Sequence, residues 1–378
     1  MIIYVIQPND TLGEIATEYD STISELSYIN QIPDPYRLAV GQAILIPSEE
    51  PQEDRRVVKA NGYAYPFIAR EVLDETLDFL SDLFVFSYGF TTAGELIPPL
   101  YPDQEMLLRA AAKGVDSILV LTPLGEDGRF NNNLISTVLR DEVAKENLIQ
   151  NVIDTMLEKG FQGVDVDFEY ILAQDRDLFT QFVGELRMRV NAIGGRVSVA
   201  LAPKTSAGQP GLLYEGKDYR GLGEAADEVL LMTYEWGYTY GPAMAVAPIN
   251  KVRPVIEYAL TEIPAEKINM GIPNYGYDWT LPYVQGESRA VTIGNVEAIQ
   301  IAIENNALIQ FDEIAQSPFF QYERDGRTHE VWFEDVRSIQ QKYNLIKEYN
   351  LRGFGVWQIM RLYRAMWYLR EDNFRIYR

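Results

Sequence analysis

Three carboxylates alternate with apolar residues in the segment Gly163-Val164-Asp165-Val166-Asp167-Phe168-Glu169. This alternation predicts a β-strand, because successive side chains of a strand point to opposite faces. Asp165, Asp167 and Glu169 would then form one column, with neighbours roughly 7 Å apart. Burying carboxylates without partners is costly, so a strand with a purely structural role would avoid such a column. The segment therefore indicates general acid–base chemistry.

The like charges of this column would also tune the acid. Glu169 at the strand end and Asp167 one layer deeper cannot readily ionise together, so we expect them to share a proton that keeps Glu169 protonated near neutral pH. A protonated carboxyl is what a general acid requires. The alternative is a strip of acidic residues that faces solvent on an edge strand and performs no chemistry.

The composition excludes several other chemistries. The chain of 378 residues has no cysteine and one histidine, His329. Disulfides, thiolate metal sites and clustered His–metal sites are therefore excluded, and a Ser-His-Asp triad would depend on His329 alone. We interpret His329 as an ordinary turn residue. No metal and no cofactor are expected, and the chemistry would depend on carboxylates, tyrosines and backbone groups.

Charge and hydropathy limit the partners. Asp and Glu number 55 against 33 Lys and Arg, which gives a formal net charge of −22. Such a surface repels phosphate backbones, so we expect no nucleic-acid partner. No apolar stretch is long enough to span a membrane, so no membrane partner is expected. The first ten residues lack the basic residues and cleavage site of a secretory signal, and no signal peptide is predicted.

The elements around the acidic segment predict a closed barrel. From residue 57 onward β-rich runs alternate with helical patterns, and the predicted strands are Gly62–Pro66, Leu83–Tyr88, Ser117–Thr122, Gly163–Glu169, Arg196–Ala202, Glu228–Tyr234, Ile268–Tyr275 and Gly353–Gln358. Eight β/α repeats over this length indicate an α/β fold, the (β/α)₈ or TIM barrel. A closed barrel has no edge strand, and its active site lies at the C-terminal strand ends, where Glu169 falls. Residues 276–330 are too long for one connection and predict an inserted small α+β lobe after strand seven.

A separate small module precedes the barrel. Residues 1–48 follow a β-α-α-β plan that is too small to bury much core, which favours a binding module. Residues 49–58 are polar and charged and are predicted to be a linker, so that the barrel spans residues 59–378.

The first module resembles a LysM domain. The resemblance lies in the segments Tyr4–Leu12, Ile29–Asn30 and Leu38–Pro47. It implies binding of N-acetylglucosamine polymers, peptidoglycan or chitin, in a shallow groove beside the first strand–helix loop and the loop after the second helix. The residues that it implicates in sugar binding are Asp10, Thr11, Leu12, Asn30 and Ile32. For Leu12 a role in the core remains an alternative.

The acidic segment resembles the signature of glycoside hydrolase family 18, D-G-x-D-x-D-x-E on the fourth barrel strand. Gln162 stands at the first acidic position of that pattern. The resemblance implies that Glu169 is the acid, that Asp167 orients the substrate's N-acetyl group and that Asp165 supports it. The acetamido oxygen would then be the nucleophile, giving an oxazolinium intermediate and retention of configuration.

Further landmarks of that family follow in order. Leu230–Gly237 occupies the place of the family's M-x-Y-D, with Glu235 instead of Asp. The resemblance implies that Tyr234 stabilises the oxazolinium as a fourth catalytic residue, that Met232 lines the sugar subsite and that Trp357 forms an aromatic floor under the sugar. It also assigns substrate contacts to Glu235, Tyr65, Asn274 and Tyr275. The alternative for Tyr234 and Trp357 is that they are core aromatics.

The combination of modules narrows the resemblance. The chain resembles spore-germination cortical-fragment N-acetylglucosaminidases in three features. These are the LysM-like module before the barrel, the segment Asn61-Gly62-Tyr63-Ala64-Tyr65-Pro66 and the segment Met232–Tyr238. This implies cleavage of β-1,4 bonds at N-acetylglucosamine in peptidoglycan, with association to spore coat, cortex or cell wall, and otherwise a cytoplasmic location.

Three alternatives remain open from the sequence. The first is a chitinase acting on chitin oligomers, and the second is a non-catalytic chitinase-like sugar-binding protein. The third is a two-carboxylate glycosidase that uses Glu235 or Asp278 as the partner of Glu169.

Overall fold

The N-terminal module is a two-stranded antiparallel sheet with two helices. The computed structural model describes residues 1–48 and 55–378. The module consists of β1 (Ile2–Val5), α1 (Leu12–Glu18), α2 (Ile23–Asn30) and β2 (Ala43–Ile46). Both helices begin at a threonine cap: the Oγ1 of Thr11 accepts from the Glu14 N–H and that of Thr22 from the Glu25 N–H. The predicted linker residues 49–54 lie outside the described part of the chain.

The barrel region alternates strands and helices. Its elements are β3 (Arg56–Ala64), α3 (Arg70–Leu77), β4 (Asp82–Phe90), β5 (Leu96–Ile97), α4 (Gln104–Ala112), β6 (Asp116–Leu121), α5 (Asn133–Arg140), α6 (Glu142–Lys159), β7 (Gly163–Val166), α7 (Arg176–Ala192), β8 (Arg196–Leu201), α8 (Tyr219–Ala225), β9 (Glu228–Leu231), α9 (Ile249–Glu262) and β10 (Ile268–Pro273). The lobe follows with β11 (Gly276–Thr280), β12 (Val291–Ile293), α10 (Asn295–Glu304), β13 (Gln310–Asp312), β14 (Ser317–Arg324) and β15 (Arg327–Trp332). The chain ends with α11 (Val336–Glu348), β16 (Gly353–Trp357), α12 (Arg364–Asn373) and β17 (Phe374–Ile376).

Eight parallel strands close into a barrel. The strands β3, β4, β6, β7, β8, β9, β10 and β16 pair in this order, and β16 pairs with β3 to complete the circle. Their outward side chains are apolar and pack beneath the helices, as for Val164 and Val166 with 0% exposure. The predicted TIM barrel is therefore confirmed.

The first barrel strand begins earlier than the sequence patterns indicate. β3 starts at Arg56, inside the range 49–58 that was predicted as a linker. The reason lies at the other end of the chain, because β17 pairs in parallel with Arg56, Val57 and Val58. The neighbouring strand satisfies backbone groups that a linker would leave to water.

The segment after the seventh barrel strand folds as a separate lobe. Five antiparallel strands pair in the order β12-β11-β15-β14-β13, and α10 covers them. A small core of its own holds the lobe together, including Ile293, Ala298, Phe320 and Val331. The predicted inserted α+β lobe is confirmed, and its last strand ends at Trp332.

The N-terminal module packs directly on the barrel and the lobe. Its Ile29 and Leu45 belong to the same buried cluster as the barrel core. The Arg364 guanidinium lies 3.9 Å from the centre of the Tyr28 ring. Gly41 has a φ of +84°, and a Cβ there would lie 1.9 Å from the Ile309 carbonyl oxygen of the lobe, so only glycine fits. Within the described ranges 1–48 and 55–378, no helix is long and apolar enough to cross a membrane.

Candidate active site

The strand β7 presents its acidic side chains to the barrel interior. Its alternate residues Val164 and Val166 point outward, and Phe168 stacks on Phe182 of α7 at 5.9 Å. This apolar anchoring fixes the face of the strand, because a shift by one residue would exchange the two sets. Asp165 and Asp167 therefore point inward, and Glu169 follows three residues beyond the strand end.

Asp165 is the deepest member of the column. It has 0% exposure and accepts hydrogen bonds from the Ser198 hydroxyl and, at 3.0 Å, from the Tyr63 hydroxyl. Burial raises the pKa of Asp165 to about 6, although both hydrogen bonds act in the opposite direction. The hydrogen bonds fix the carboxyl in place without fully replacing its lost hydration.

Asp167 and Glu169 repel each other's charge at the mouth of the column. Burial raises the pKa of Asp167 well above its ordinary value, with Glu169 and Asp165 adding to the rise. Burial likewise raises the pKa of Glu169, with Glu235 adding to it and Lys217 opposing it. The Glu169 side chain is exposed to solvent within the cleft, where the surrounding walls still restrict its hydration. The arrangement favours a proton on this pair at neutral pH.

The mouth of the column opens into a cavity of about 660 Å³. Both Asp167 and Glu169 reach it, and the remaining lining is largely aromatic: Tyr65, Phe86, Phe130, Tyr170, Leu213, Met232, Tyr234, Glu235, Tyr238, Tyr277 and Trp357. A larger cavity of about 790 Å³ lies on the lobe beside Arg289 and Arg327 and contains none of these carboxylates. The two volumes are similar, so the carboxylates and the aromatic lining decide in favour of the smaller cavity.

Trp357 forms an aromatic wall at the end of β16. Its ring meets Phe86 edge-on at 4.8 Å and Tyr65 at 6.2 Å. The packing fixes the indole while one face stays in the cavity. Sugar rings present apolar C–H faces, so such a rigid aromatic surface fits a pyranose.

Tyr234 lies beside the column at the end of β9. Its side chain is 9% exposed and, like that of Met232, lines the cavity. The chain at Gly271 runs so close that a Cβ there would lie 2.7 Å from the Tyr234 ring. The glycine on the neighbouring strand therefore makes room for the tyrosine at this depth.

Glu235 is the third carboxyl that lines the cavity. Its backbone has a φ of 67°, which turns the chain at the end of β9. The Tyr275 hydroxyl donates to its Oε1, and the Tyr277 hydroxyl donates to the same oxygen at 2.9 Å. Burial raises the pKa of Glu235, and the two tyrosine hydrogen bonds oppose the rise. Glu235 is thus held by phenols and not by a cation.

Two predicted substrate contacts lie behind the cavity wall. Asn274 is 3% exposed, and its amide donates to the Arg361 carbonyl oxygen at 2.8 Å and accepts from Asn295 at 3.2 Å. Tyr275 is 4% exposed and reaches the site only through Glu235. Neither side chain lines the cavity, so direct contact of Asn274 or Tyr275 with the substrate stays a prediction.

Asp278 does not face Glu169. It accepts a hydrogen bond from the Tyr322 hydroxyl at 2.6 Å and contacts the His329 Nδ1 at 2.9 Å, within the lobe. In β11 its side chain points to the face opposite that of Tyr277, which lines the cavity. Asp278 is therefore excluded as a partner carboxylate, and His329 is a half-buried lobe residue instead of a free turn residue.

The five residues assigned to sugar binding in the N-terminal module divide into two groups. Leu12 has 0% exposure and Ile32 has 7%, so their side chains belong to the module's core. Asn30 donates to the Leu26 and Leu45 carbonyl oxygens and accepts from the Leu45 N–H. These three side chains contribute to the module's core or its internal hydrogen bonds, and their contact with a glycan stays a prediction.

Asp10 and Thr11 remain at the surface of the module. Asp10 accepts from the Tyr4 hydroxyl at 2.7 Å and from the Gln7 N–H at 2.7 Å, while Thr11 caps α1 and is exposed. The loop after α2 instead borders a cavity of about 460 Å³ whose opposite wall is α10 of the lobe. One edge of the predicted groove is therefore enclosed by the lobe.

Several cavity residues escaped sequence reasoning. Phe86 lies inward on a strand that was predicted, and its alternation with Phe84 was a usable signal. Tyr238 ends the segment Met232–Tyr238 but received no role there, and Tyr277 received none either. Phe130 and Leu213 come from loops without any periodic pattern, and Lys217 lies behind the cavity in such a loop.

Comparisons with known proteins agree with this geometry. The profile of Glycosyl hydrolases family 18 matches residues 112–361, and that of the LysM domain matches residues 4–47. A cortical fragment-lytic enzyme of Bacillus subtilis is 38% identical, over 100% of this chain and 99% of its own length. The predicted resemblance to LysM-containing proteins of that family is confirmed.

Solved structures extend the comparison. The spore cortex-lytic enzyme SleL of Bacillus megaterium superposes with a TM-score of 0.94 at 32% identity, covering 99% of this chain and 98% of its own. A chitinase from Chromobacterium violaceum superposes with a TM-score of 0.77 at 22% identity, covering 84% of this chain and 99% of its own. The chitinase likeness concerns the fold alone.

Proposed function

The chain belongs to glycoside hydrolase family 18, and from that premise we propose that it cleaves β-1,4 bonds at N-acetylglucosamine in spore-cortex peptidoglycan with retention of configuration. The observation that carries the proposal is the inward column of Asp165, Asp167 and Glu169, which ends in an aromatic-lined cavity. The column holds a protonated acid beside bound sugar without a metal or a histidine.

In the first step Glu169 protonates the glycosidic oxygen. Burial raises the pKa of Glu169, which favours the protonated form that this step requires. The acetamido oxygen of the sugar attacks the anomeric carbon as the leaving group departs, which forms an oxazolinium ion. Asp167 accepts the amide N–H and turns the acetamido group toward that carbon.

In the second step water opens the oxazolinium ring. Glu169, now a carboxylate, takes a proton from the water as it attacks the anomeric carbon, and the acid is restored. The Tyr234 hydroxyl donates a hydrogen bond to the acetamido oxygen. Asp165, fixed by Ser198 and Tyr63, lies behind Asp167 and supports its position. Trp357 and Met232 hold the sugar through its apolar face.

The substrate assignment rests on two supports. The relatives with full-length coverage are named cortical fragment-lytic enzyme or spore cortex-lytic enzyme. A LysM domain packed rigidly on the barrel would keep the catalytic cavity close to the glycan that it binds. We therefore propose association with the spore cortex or cell wall, with Asp10 and Thr11 at the glycan-binding edge.

Digestion of purified cortex fragments tests the proposal. Mass spectrometry of borohydride-reduced products should find N-acetylglucosamine at the new reducing ends, and chitooligosaccharides should be cleaved more slowly. Muramic acid at those ends would contradict the bond assignment, and faster cleavage of chitin would support a chitinase. Binding without products would indicate a sugar-binding protein.

The retaining mechanism has its own test. An N-acetylglucosamine thiazoline mimics the oxazolinium ion and should inhibit competitively. Indifference to this compound would contradict substrate assistance and favour a two-carboxylate mechanism with Glu235.

A further inference from the structure

A buried lysine lies directly behind the catalytic strand. Lys217 belongs to the loop between β8 and α8 and is 1% exposed. Its ammonium donates to the Phe168 carbonyl oxygen and, at 3.2 Å, to the Ala200 carbonyl oxygen. Phe168 immediately precedes Glu169, and Ala200 lies on β8. The Lys217 ammonium therefore links the backbone next to Glu169 to the neighbouring strand β8.

The charge of Lys217 acts on the whole acidic column. Among the described residues it is the cation that opposes the raised pKa of each of Asp165, Asp167 and Glu169. Burial lowers the pKa of Lys217 itself to about 8, with the three carboxylates opposing the fall. The groups that face its ammonium are those carboxylates, the two carbonyl oxygens and the Phe179 ring at 5.0 Å.

The loop that carries Lys217 is pressed onto the chain after Glu169. A Cβ at Gly216 would lie 2.2 Å from the Ile171 carbonyl oxygen, so the two segments are in backbone contact. A second buried lysine, Lys204, braces the loop from within by donating to the Lys217 carbonyl oxygen at 2.9 Å and to that of Ala207 at 3.1 Å. The charged residues that affect the pKa of Lys204 are Arg176, Asp218 and Glu262.

We propose that Lys217 is a positioning residue, which fixes the main chain of Glu169 and supplies the positive charge that lets Asp167 ionise beside a protonated acid. Burying an ammonium on carbonyl oxygens alone is unfavourable, and the nearby carboxylates offset that cost. The catalytic part of this inference rests on the proposed function, whereas the charge balance does not.

The first experiment compares Lys217→Met with Lys204→Met on cortex fragments. Both variants remove a buried ammonium from one loop, but only the first removes charge from the column. Lys217→Met should raise the pKa values of Asp167 and Glu169, so both limbs of the kcat/KM profile shift to higher pH. Displacement of the acid should also lower kcat/KM by up to about 100-fold.

Lys204→Met should leave both limbs in place, and Lys217→Arg should restore them toward those of the native protein. Unmoved limbs in Lys217→Met, or equal shifts in the two Met variants, would overturn the proposal. An inactive native protein would refute the proposed function instead, and the next experiment would still apply.

The second experiment measures charge coupling through stability alone. Urea unfolding at pH 7 of the native protein, Lys217→Met, Asp167→Asn and the double variant forms a thermodynamic cycle. Lys217→Met should be destabilised, and adding Asp167→Asn should recover part of the loss. If Lys217→Met does not fold, the double variant should still fold. A coupling free energy of zero between the two substitutions would contradict the proposed role of the Lys217 charge. Failure of both Lys217→Met and the double variant to fold would contradict it as well.

Discussion

The two ends of the barrel treat buried charge in opposite ways. At the N-terminal end Asp82 lies between the Lys59 ammonium at 3.0 Å and the Arg196 guanidinium at 2.6 Å. Glu228 at the same end pairs with Arg352 at 2.9 Å and with Arg196 at 3.4 Å. Each carboxylate there faces a cation, although burial still raises the pKa of Asp82 against the opposing effect of Arg196 and Lys59.

At the C-terminal end carboxyls crowd together. Asp167, Glu169 and Glu235 line one cavity with Asp165 buried behind them, and Ser and Tyr hydroxyls donate to Asp165 and Glu235. The Oδ1 of Asp167 has no hydrogen-bond partner within the described ranges. In the described part of the chain, the cation that acts on all three residues of the column is Lys217, which contacts carbonyl oxygens. The comparison teaches that the protein retains unfavourable charge where chemistry needs a proton and neutralises it elsewhere.

The largest expected effect concerns Glu169, because it carries the proton that is transferred. Glu169→Gln should lower kcat on cortex fragments by about 10²–10⁴-fold. The Tm should stay the same or rise, since a repelling carboxyl is removed. Product release and thermal unfolding measure the two effects. Glu126→Gln, on an exposed loop, is the matched control. Retained activity in Glu169→Gln would refute the assignment.

Removing a cation from the charged residues at the N-terminal end of the barrel should lower stability, unlike the removal of the Glu169 charge. Arg196→Met leaves the buried Asp82 and Glu228 with fewer counter-charges and should lower the free energy of unfolding by about 3–5 kcal/mol. Urea denaturation measures this loss. Arg189→Met, at a surface pair with Glu146, should cost about 1 kcal/mol or less. Equal effects would show that the cluster is not a stabilising device.

The buried Asp165 at the C-terminal end of the barrel should make the stability of the protein depend on pH. The folded-state pKa of Asp165, about 6, lies above the unfolded value, so its contribution to stability is complete below the unfolded pKa and is lost as pH rises through about 6. That loss is about 3 kcal/mol. Asp165→Asn should remove this part of the slope between pH 4 and pH 7 in urea titrations. An unchanged slope, matching that of the surface variant Asp154→Asn, would contradict the buried-acid description.

The smallest effect concerns the phenols behind Glu235. Tyr275→Phe removes one of two hydrogen bonds to the same oxygen, so kcat/KM should fall about tenfold or less. Tyr283→Phe, whose hydroxyl bonds the Tyr240 carbonyl oxygen at the lobe surface, should leave kinetics unchanged. A loss as large as that of Glu169→Gln would mean that Tyr275 contacts the substrate directly.

Local sequence patterns determined the architecture and the acidic column. Alternation of apolar and acidic residues at positions 163–169 predicts a strand with one inward face. Eight β-rich runs that are separated by helical patterns predict a barrel. The two helices of the N-terminal module, which the β-α-α-β plan predicted, begin at Thr11 and Thr22, whose hydroxyls accept from backbone N–H groups three residues later.

Only the tertiary structure decided which side chains meet across the cleft. Lys217 and Glu169 are brought together by the packing of two loops, and Asn274 turns away because the lobe offers it partners. The pairing of β17 with β3 joins the two ends of the barrel chain. Periodicity is a property of neighbours along the chain, whereas these contacts join residues far apart in sequence, and no local pattern encodes which of them meet.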